Sequence, residues 1–192
     1  MLSDSTWWLM LFWMPDFLNR QFGLLGADIA PPLAIAYTGA AVGSLVSGGL
    51  ATRFLQRGVP VNRVRKVAML ISGAMVLPLP LALQAQSPTA AALILAVVLA
   101  AHQGFSTNLF ALITDVTEKS SIGRMTSFGV FSGNIGGMLT LKIAGMVLAA
   151  GFGYLPLFLF AAVSYLLALS WIHLLLPNIR QVGVDETAAA KA

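Results

Sequence analysis

One short stretch of this chain concentrates groups that can hydrogen-bond a solute: His102, Gln103, Ser106, Thr107 and Asn108, with Thr114 and Asp115 further on. At 100° per residue, Gln103, Thr107, Phe110 and Thr114 fall on one helical face, and His102, Ser106 and Leu109 on an adjacent one. The surrounding residues are apolar. Unsatisfied polar groups are costly there, so the cluster must either bond across to neighbouring helices or line a wet cavity. Asn134, set between Gly133 and Gly136, poses the same choice. Its amide donates and accepts at once, which suits a hydroxylated or carboxylated solute as well as a neighbouring helix.

Two charged residues also fall within apolar stretches. Lys142 lies ~24 Å along its helix from Thr126, where its stem can snorkel to the outer interface or its ammonium can hold an anion. Asp16 follows Pro15 and precedes Asn19 and Arg20, the pattern of a helix end facing water. Bond-making chemistry has no comparable support. The chain has no Gly-rich phosphate loop, no GxSxG, no His-x-x-x-His pair and no carboxylates at metal-ligand spacing. With 0 cysteines it has no thiolate metal site or disulfide either. No enzyme, no cofactor and no metal is therefore expected. His102 and His173 belong to different stretches, and His173 reads as interfacial.

The elements that must position these groups follow from composition. Of 192 residues, 58% are apolar and 9% charged, too few charges to wet the surface of a soluble globule and too much apolar matter for a disordered chain. A polytopic membrane protein remains. Six apolar stretches emerge, at about residues 6–22, 30–52, 67–85, 90–114, 126–149 and 154–176, each long enough to cross a bilayer. Backbone groups in lipid must be bonded internally, so these are helices. The reading is an all-α integral membrane protein: a six-helix bundle over residues 1–178 and a tail over 179–192.

The links alternate in charge. Arg53, Arg57, Arg63, Arg65 and Lys66 fall in the second, Lys119 and Arg124 in the fourth, Arg180 and Lys191 in the tail. The first, third and fifth hold only Arg20. By the positive-inside rule the charged side is cytoplasmic, which predicts both termini there. The net charge of +4 is thus a topology signal, and no nucleic-acid partner is expected. Met1 to Thr6 carries Asp4 and no Lys or Arg, unlike a cleavable signal peptide. Trp7, Trp8, Trp13 and Trp171 suit interfacial anchoring and packing. Small residues recur every fourth position at Gly129, Gly133 and Gly137, at Gly39, Gly43 and Ser47, and at Ala40, Ser44 and Gly48, a pattern that lets helices approach closely.

The segment from Ala101 to Phe110, followed by Asp115 and by Gly133-Asn134-Ile135-Gly136-Gly137-Met138-Leu139, resembles the tenth and eleventh helices of major facilitator superfamily transporters. The closer likeness is to the anion:cation symporter group that includes hexuronate and galactonate permeases. Phe12-Trp13-Met14-Pro15-Asp16-Phe17-Leu18-Asn19 resembles that group's seventh helix, and Gly49 to Lys66 its loop between helices eight and nine. The likeness runs over about residues 6–178. It departs from the superfamily's Gly-x-x-x-Asp-Arg signature at Thr52, so the charge pairing of that signature is not carried over.

The resemblance implies the carboxy-terminal six-helix half of a twelve-helix transporter, a fold of inverted three-helix repeats around a midplane site. By position, Asn134 matches a sugar-acid-contacting asparagine and Phe110 an aromatic lining the same cavity, with Gln103 and Thr107 on the Phe110 face. The coupling carboxylates and the basic group that grips the substrate are expected in the amino-terminal half. The implied function is inner-membrane symport of an organic anion, such as a hexuronate or aldonate, with a cation, H⁺ being the expected one. It needs an amino-terminal bundle, supplied as a separate polypeptide or by a second copy. The alternative is a truncated, non-transporting remnant that starts at an internal Met. A small membrane enzyme or channel would need a catalytic cluster or pore repeat, and neither is visible.

Overall fold

A computed structural model describes residues 2–179, so all but one residue of the expected tail, with Arg180 and Lys191, lies outside the described part. The described residues form six α-helices: α1 Leu2–Phe22, α2 Ala30–Gln56, α3 Val61–Val76, α4 Pro88–Val116, α5 Ile122–Ala149 and α6 Leu155–Leu175. Short 3-10 helices, Gly26–Ile29 and Leu79–Gln84, extend the start of α2 and the end of α3. Strands are absent among the described residues.

Prolines and caps set the boundaries. Proline occupies the first turn of α2, α4 and α6, where a missing N–H costs nothing. Ser87 caps α4 by accepting from the Ala90 N–H at 3.2 Å. The third span is expected as one element over 67–85, but its regular helix stops at Val76, because Pro78 and Pro80 offer no N–H to continue it. The second link is also shorter than expected. Helix α2 runs on to Gln56 and α3 begins at Val61, so Arg63, Arg65 and Lys66 are helical. The turn between them relies on Gly58 at φ 80°, a left-handed conformation that glycine adopts without strain.

Five segments are long and apolar enough to cross a membrane: Gly26–Gln56, Val61–Gln84, Pro88–Val116, Ile122–Ala149 and Leu155–Leu175. Helix α1 is not among them, since it opens on Ser3-Asp4-Ser5-Thr6 and carries Asp16, Asn19, Arg20 and Gln21 near its other end. Thr6 meets Ser164 at 3.4 Å and Trp7 stacks on His102 with ring centroids 5.2 Å apart. Both partners are near the midpoints of their own helices. The expected first span, residues 6–22, is thus helical, but from Thr6 onward it accompanies its neighbours from the centre of the bundle to one end.

The pairing of helices has an internal symmetry. Helix α1 packs along α5 and α2 along α4; α6 packs on α1 and α3 on α4; α3 and α6 pack on each other. Exchanging α1 with α4, α2 with α5 and α3 with α6 maps these five pairs onto one another, as expected of two inverted three-helix repeats, while α2 also meets α3 in a contact that α5 and α6 do not match. At one end, Asp16 of α1 meets Tyr154 before α6, and the Gln21 side-chain amide donates to the Leu83 carbonyl at 3.1 Å. At the other, Arg65 of α3 meets Asp115 of α4, and Lys66 donates to the carbonyls of Leu176 and Pro177 at 2.7 and 2.6 Å. The charged links therefore share one end of the bundle.

Candidate functional site

Helix α4 carries most of the polar groups, and its two sides use them differently. On the side facing the bundle, His102, Phe105, Asn108, Leu112 and Asp115 are buried. His102 Nδ1 lies 2.6 Å from the Tyr165 hydroxyl, which is 3.1 Å from the Ser3 carbonyl. Since that carbonyl can only accept, the phenol donates to it and takes the Nδ1–H of His102. The imidazole also stacks on Trp7.

One to four turns on, Asn108 and Asp115 share a cation. Arg65 Nε donates to Asp115 Oδ2 at 2.8 Å and Nη1 to Asn108 Oδ1 at 3.4 Å. The Asn108 amide N–H groups reach Ser47 Oγ on α2 and the Gly104 carbonyl, both at 2.9 Å. With side-chain exposures of 11% and 8%, the Arg65–Asp115 pair is buried, and it ties α3 to α4 while Asn108 ties in α2. These groups, read from sequence as candidates for a cavity or for packing, are used for packing.

Spacing predicts that Gln103, Thr107 and Phe110 share a second face, and they do. Gln103 is half-buried at the midpoint of α4, and Phe110 is exposed. The Thr107 hydroxyl donates to the Gln103 carbonyl at 2.8 Å and lies 3.5 Å from Ser44 Oγ, so it is engaged with its own helix and with α2. Asn134 sits at the midpoint of α5 and is exposed, while its neighbours Gly133 and Gly137 turn toward α1. Among the described residues neither the Gln103 nor the Asn134 amide has a hydrogen-bond partner. Two amides at the middle of the bundle, on faces left open by the other helices, can donate to carboxylate or hydroxyl oxygens and accept from hydroxyls. The structure does not join them into one closed pocket. Helices α4 and α5 touch only lightly, as where Ile113 approaches Gly129.

Other candidates resolve differently. Lys142 is exposed on α5. Asp16 forms an ion pair with Arg20 at 2.7 Å and accepts from the Tyr154 hydroxyl, joining the end of α1 to the start of α6. Burial and the adjacent Asp16 carboxylate push the Tyr154 phenol up from its ordinary value. His173 lies 3.1 Å from Lys66 Nζ. Trp7, Trp8 and Trp13 are half-buried and pack against neighbouring helices, whereas Trp171 is exposed. Among the described residues no group of three His, Asp or Glu could hold a metal ion.

Arg65 is the residue that sequence reasoning missed, because it counts there only as one more charge of a link. The available signal was Asn108 and Asp115, seven residues apart and so on one face of α4: a buried amide and carboxylate facing the basic start of the preceding helix.

Comparison with known proteins bears on the whole assembly. The family model described as Major Facilitator Superfamily matches residues 1–191. A D-galactonate transporter of Escherichia coli O6:H1 is 26% identical over 180 residues, covering 93% of this chain and 41% of that protein. The chain thus spans about two fifths of the length of the curated relative it matches. With the family model covering almost every residue, and six helices paired as two inverted repeats, the chain belongs to the major facilitator superfamily.

Proposed function

We propose that this chain is the carboxy-terminal half of a secondary transporter that moves a sugar acid, of the hexuronate or aldonate kind, together with a cation, H⁺ being the one assigned. The observation that carries the reading is the pair of amides, Gln103 and Asn134, standing without partners at mid-depth on uncovered faces. The similarity to a D-galactonate transporter supports the substrate class. Asn134 and Gln103 would bond hydroxyl and carboxylate oxygens, and Phe110 would pack on the apolar face of the sugar. Thr107, held to the Gln103 carbonyl and to Ser44, would fix the position of that face. The wall that closes the site belongs to an amino-terminal six-helix bundle, supplied by a separate polypeptide or by a second copy. Transport then proceeds by rocking of the two bundles about the site.

The membrane is the cell's inner membrane, with the end that carries Arg57, Arg63 and Arg124 on the cytoplasmic side. Helix α6 ends on that side too, where the carbonyls of Leu176 and Pro177 accept from Lys66. For the amino terminus the expected cytoplasmic placement has no structural support, because the Ser3 carbonyl lies within hydrogen-bond reach of Tyr165, near the middle of α6.

The test is uptake of labelled galactonate, galacturonate and glucuronate by vesicles that contain this chain, with and without a supplied amino-terminal half. Uptake that needs both halves supports the reading. No uptake in either case overturns it and leaves the remnant. In the active assembly, loss of one solute hydrogen bond is worth about 0.5–1.5 kcal/mol. Asn134→Ala should therefore lower uptake roughly 2- to 13-fold while helix content and elution in detergent stay unchanged.

A further inference from the structure

One opening in the molecule plays no part in the proposed solute site. Helices α2 and α3 splay apart over α4 and leave a cavity of about 620 Å³. Its walls are large and aliphatic or aromatic, with Val46, Leu50 and Phe54 on α2 and Val67, Ile71 and Met75 on α3. Its floor is small: Ser47, Ala51, Ser72 and Gly104. Tall walls over a shallow floor make a slot rather than a bowl. The wall from Val42 to Phe54 rises ~18 Å, close to the ~15 Å of one leaflet's hydrocarbon.

The chemistry of the slot excludes a sugar acid. The Ser47 hydroxyl is already spent, since it lies 3.3 Å from the Gly104 carbonyl and accepts from the Asn108 amide at 2.9 Å. One end of the slot is not apolar, however. Arg63 lines it there, Arg57 stands in the turn that joins the two walls, and Arg53 lies on the last turn of α2. All three are exposed, and none has an acidic partner among the described residues. The neighbouring Arg65 and Lys66, by contrast, are consumed by Asp115 and by the end of α6.

From this we infer that the α2–α3 slot binds an anionic diacyl phospholipid. One acyl chain lies between the walls, and the phosphate is held by Arg63 with Arg57 and Arg53. A slot one leaflet long, apolar along its length and cationic at its mouth, complements such a lipid. Basic pockets between helices on the cytoplasmic side are of the kind that hold anionic headgroups, and each cation near the surface is worth about a factor of five in affinity. The proposal is independent of which solute the protein carries.

The experiment uses the full chain in detergent with dipalmitoyl phosphatidylglycerol, with phosphatidylcholine of the same chains, and with glycerol 3-phosphate, read by native mass spectrometry. Phosphatidylglycerol should be retained in preference to phosphatidylcholine, and glycerol 3-phosphate should not displace it. Arg63→Gln should lower that preference roughly fivefold. Ala68→Phe, which projects a ring into the slot from the α3 side, should abolish retention of both lipids. Equal retention of the two lipids, displacement by glycerol 3-phosphate alone, or unchanged binding in Ala68→Phe overturns the proposal. So does a lipid-free dimer closed over the slot.

Wild-type chain and phosphatidylglycerol carrying a photoreactive acyl chain give a readout that does not depend on any variant folding. Labelling confined to residues 42–54 and 63–75 is expected. Labelling spread evenly over α5 and α6 is the contrary result.

Discussion

Two seams of this bundle occupy equivalent places in its internal symmetry, α2 along α4 and α1 along α5, yet they are closed by different means. In the first, Gly39 and Gly43 lie directly on the backbone of Ala96 and Ala100, where a Cβ would overlap carbonyl and Cα atoms. In the second, the small residues of α5 receive side chains: Asp4 at Gly133, the Trp8 indole at Gly137 and the Trp13 ring beside Gly145. A backbone cannot yield without moving a whole helix, whereas an indole can turn about its own torsions. The same stripe of small residues thus makes one stiff joint and one that can repack. The looser joint also has a defect, since the buried indole N–H of Trp13 has no acceptor among the described residues.

Four substitutions sharpen or break this contrast. The largest effect is expected at the polar lock beside the stiff seam. Arg65→Ala leaves Asp115 buried without that cation, at a cost of about 3–5 kcal/mol, and removes one support of Asn108. A thermal midpoint lowered by roughly 6–20 °C, at about 2–4 °C per kcal/mol, would show it. Next comes Gly43→Ala, where the new methyl meets the Ala100 backbone; about 3 kcal/mol should be lost. Gly137→Ala places the same methyl against the Trp8 ring, Cγ included, and should cost less, about 2 kcal/mol, because relief takes a χ1 rotation of one side chain rather than the movement of a helix. Equal losses at Gly43 and Gly137 would end the distinction between the seams. The smallest effect belongs to Gly48→Ala, which meets the Thr107 methyl at an ordinary 3.5 Å. Its stability should stay within about 0.5 kcal/mol of wild type, or rise slightly as a helical glycine is replaced.

Much of this architecture was legible in the residues, for identifiable reasons. Hydropathy located the helices because lipid tolerates few polar residues, and the charged links reported which ends lie together because a shared membrane side selects them. Periodicity placed Gln103, Thr107 and Phe110 on one face. It could not say that the adjacent face, with His102, would be covered, because cover depends on Tyr165 and Trp7 from helices remote in sequence. Depth was equally hidden. A run of apolar residues does not reveal that Thr6 stands level with Ser164. The small-residue stripes announced close approach without saying whether backbone or indole would arrive. Arg65 misled because a charge that sets topology and a charge that closes a buried ion pair look identical in a sequence. The proposed solute site is the least legible part, since its two amides, Gln103 and Asn134, stand on different helices whose relative placement spacing alone does not give.

The contact of Gly39 and Gly43 with α4 has a mechanical meaning. No compressible layer of side chains separates the two backbones there, so a push on α2 reaches α4 without slack. Gln103 and Phe110, which ride on α4, must then travel with α2 as one lever arm. If the chain works as proposed, a gap that admits a solute forms outside this joint.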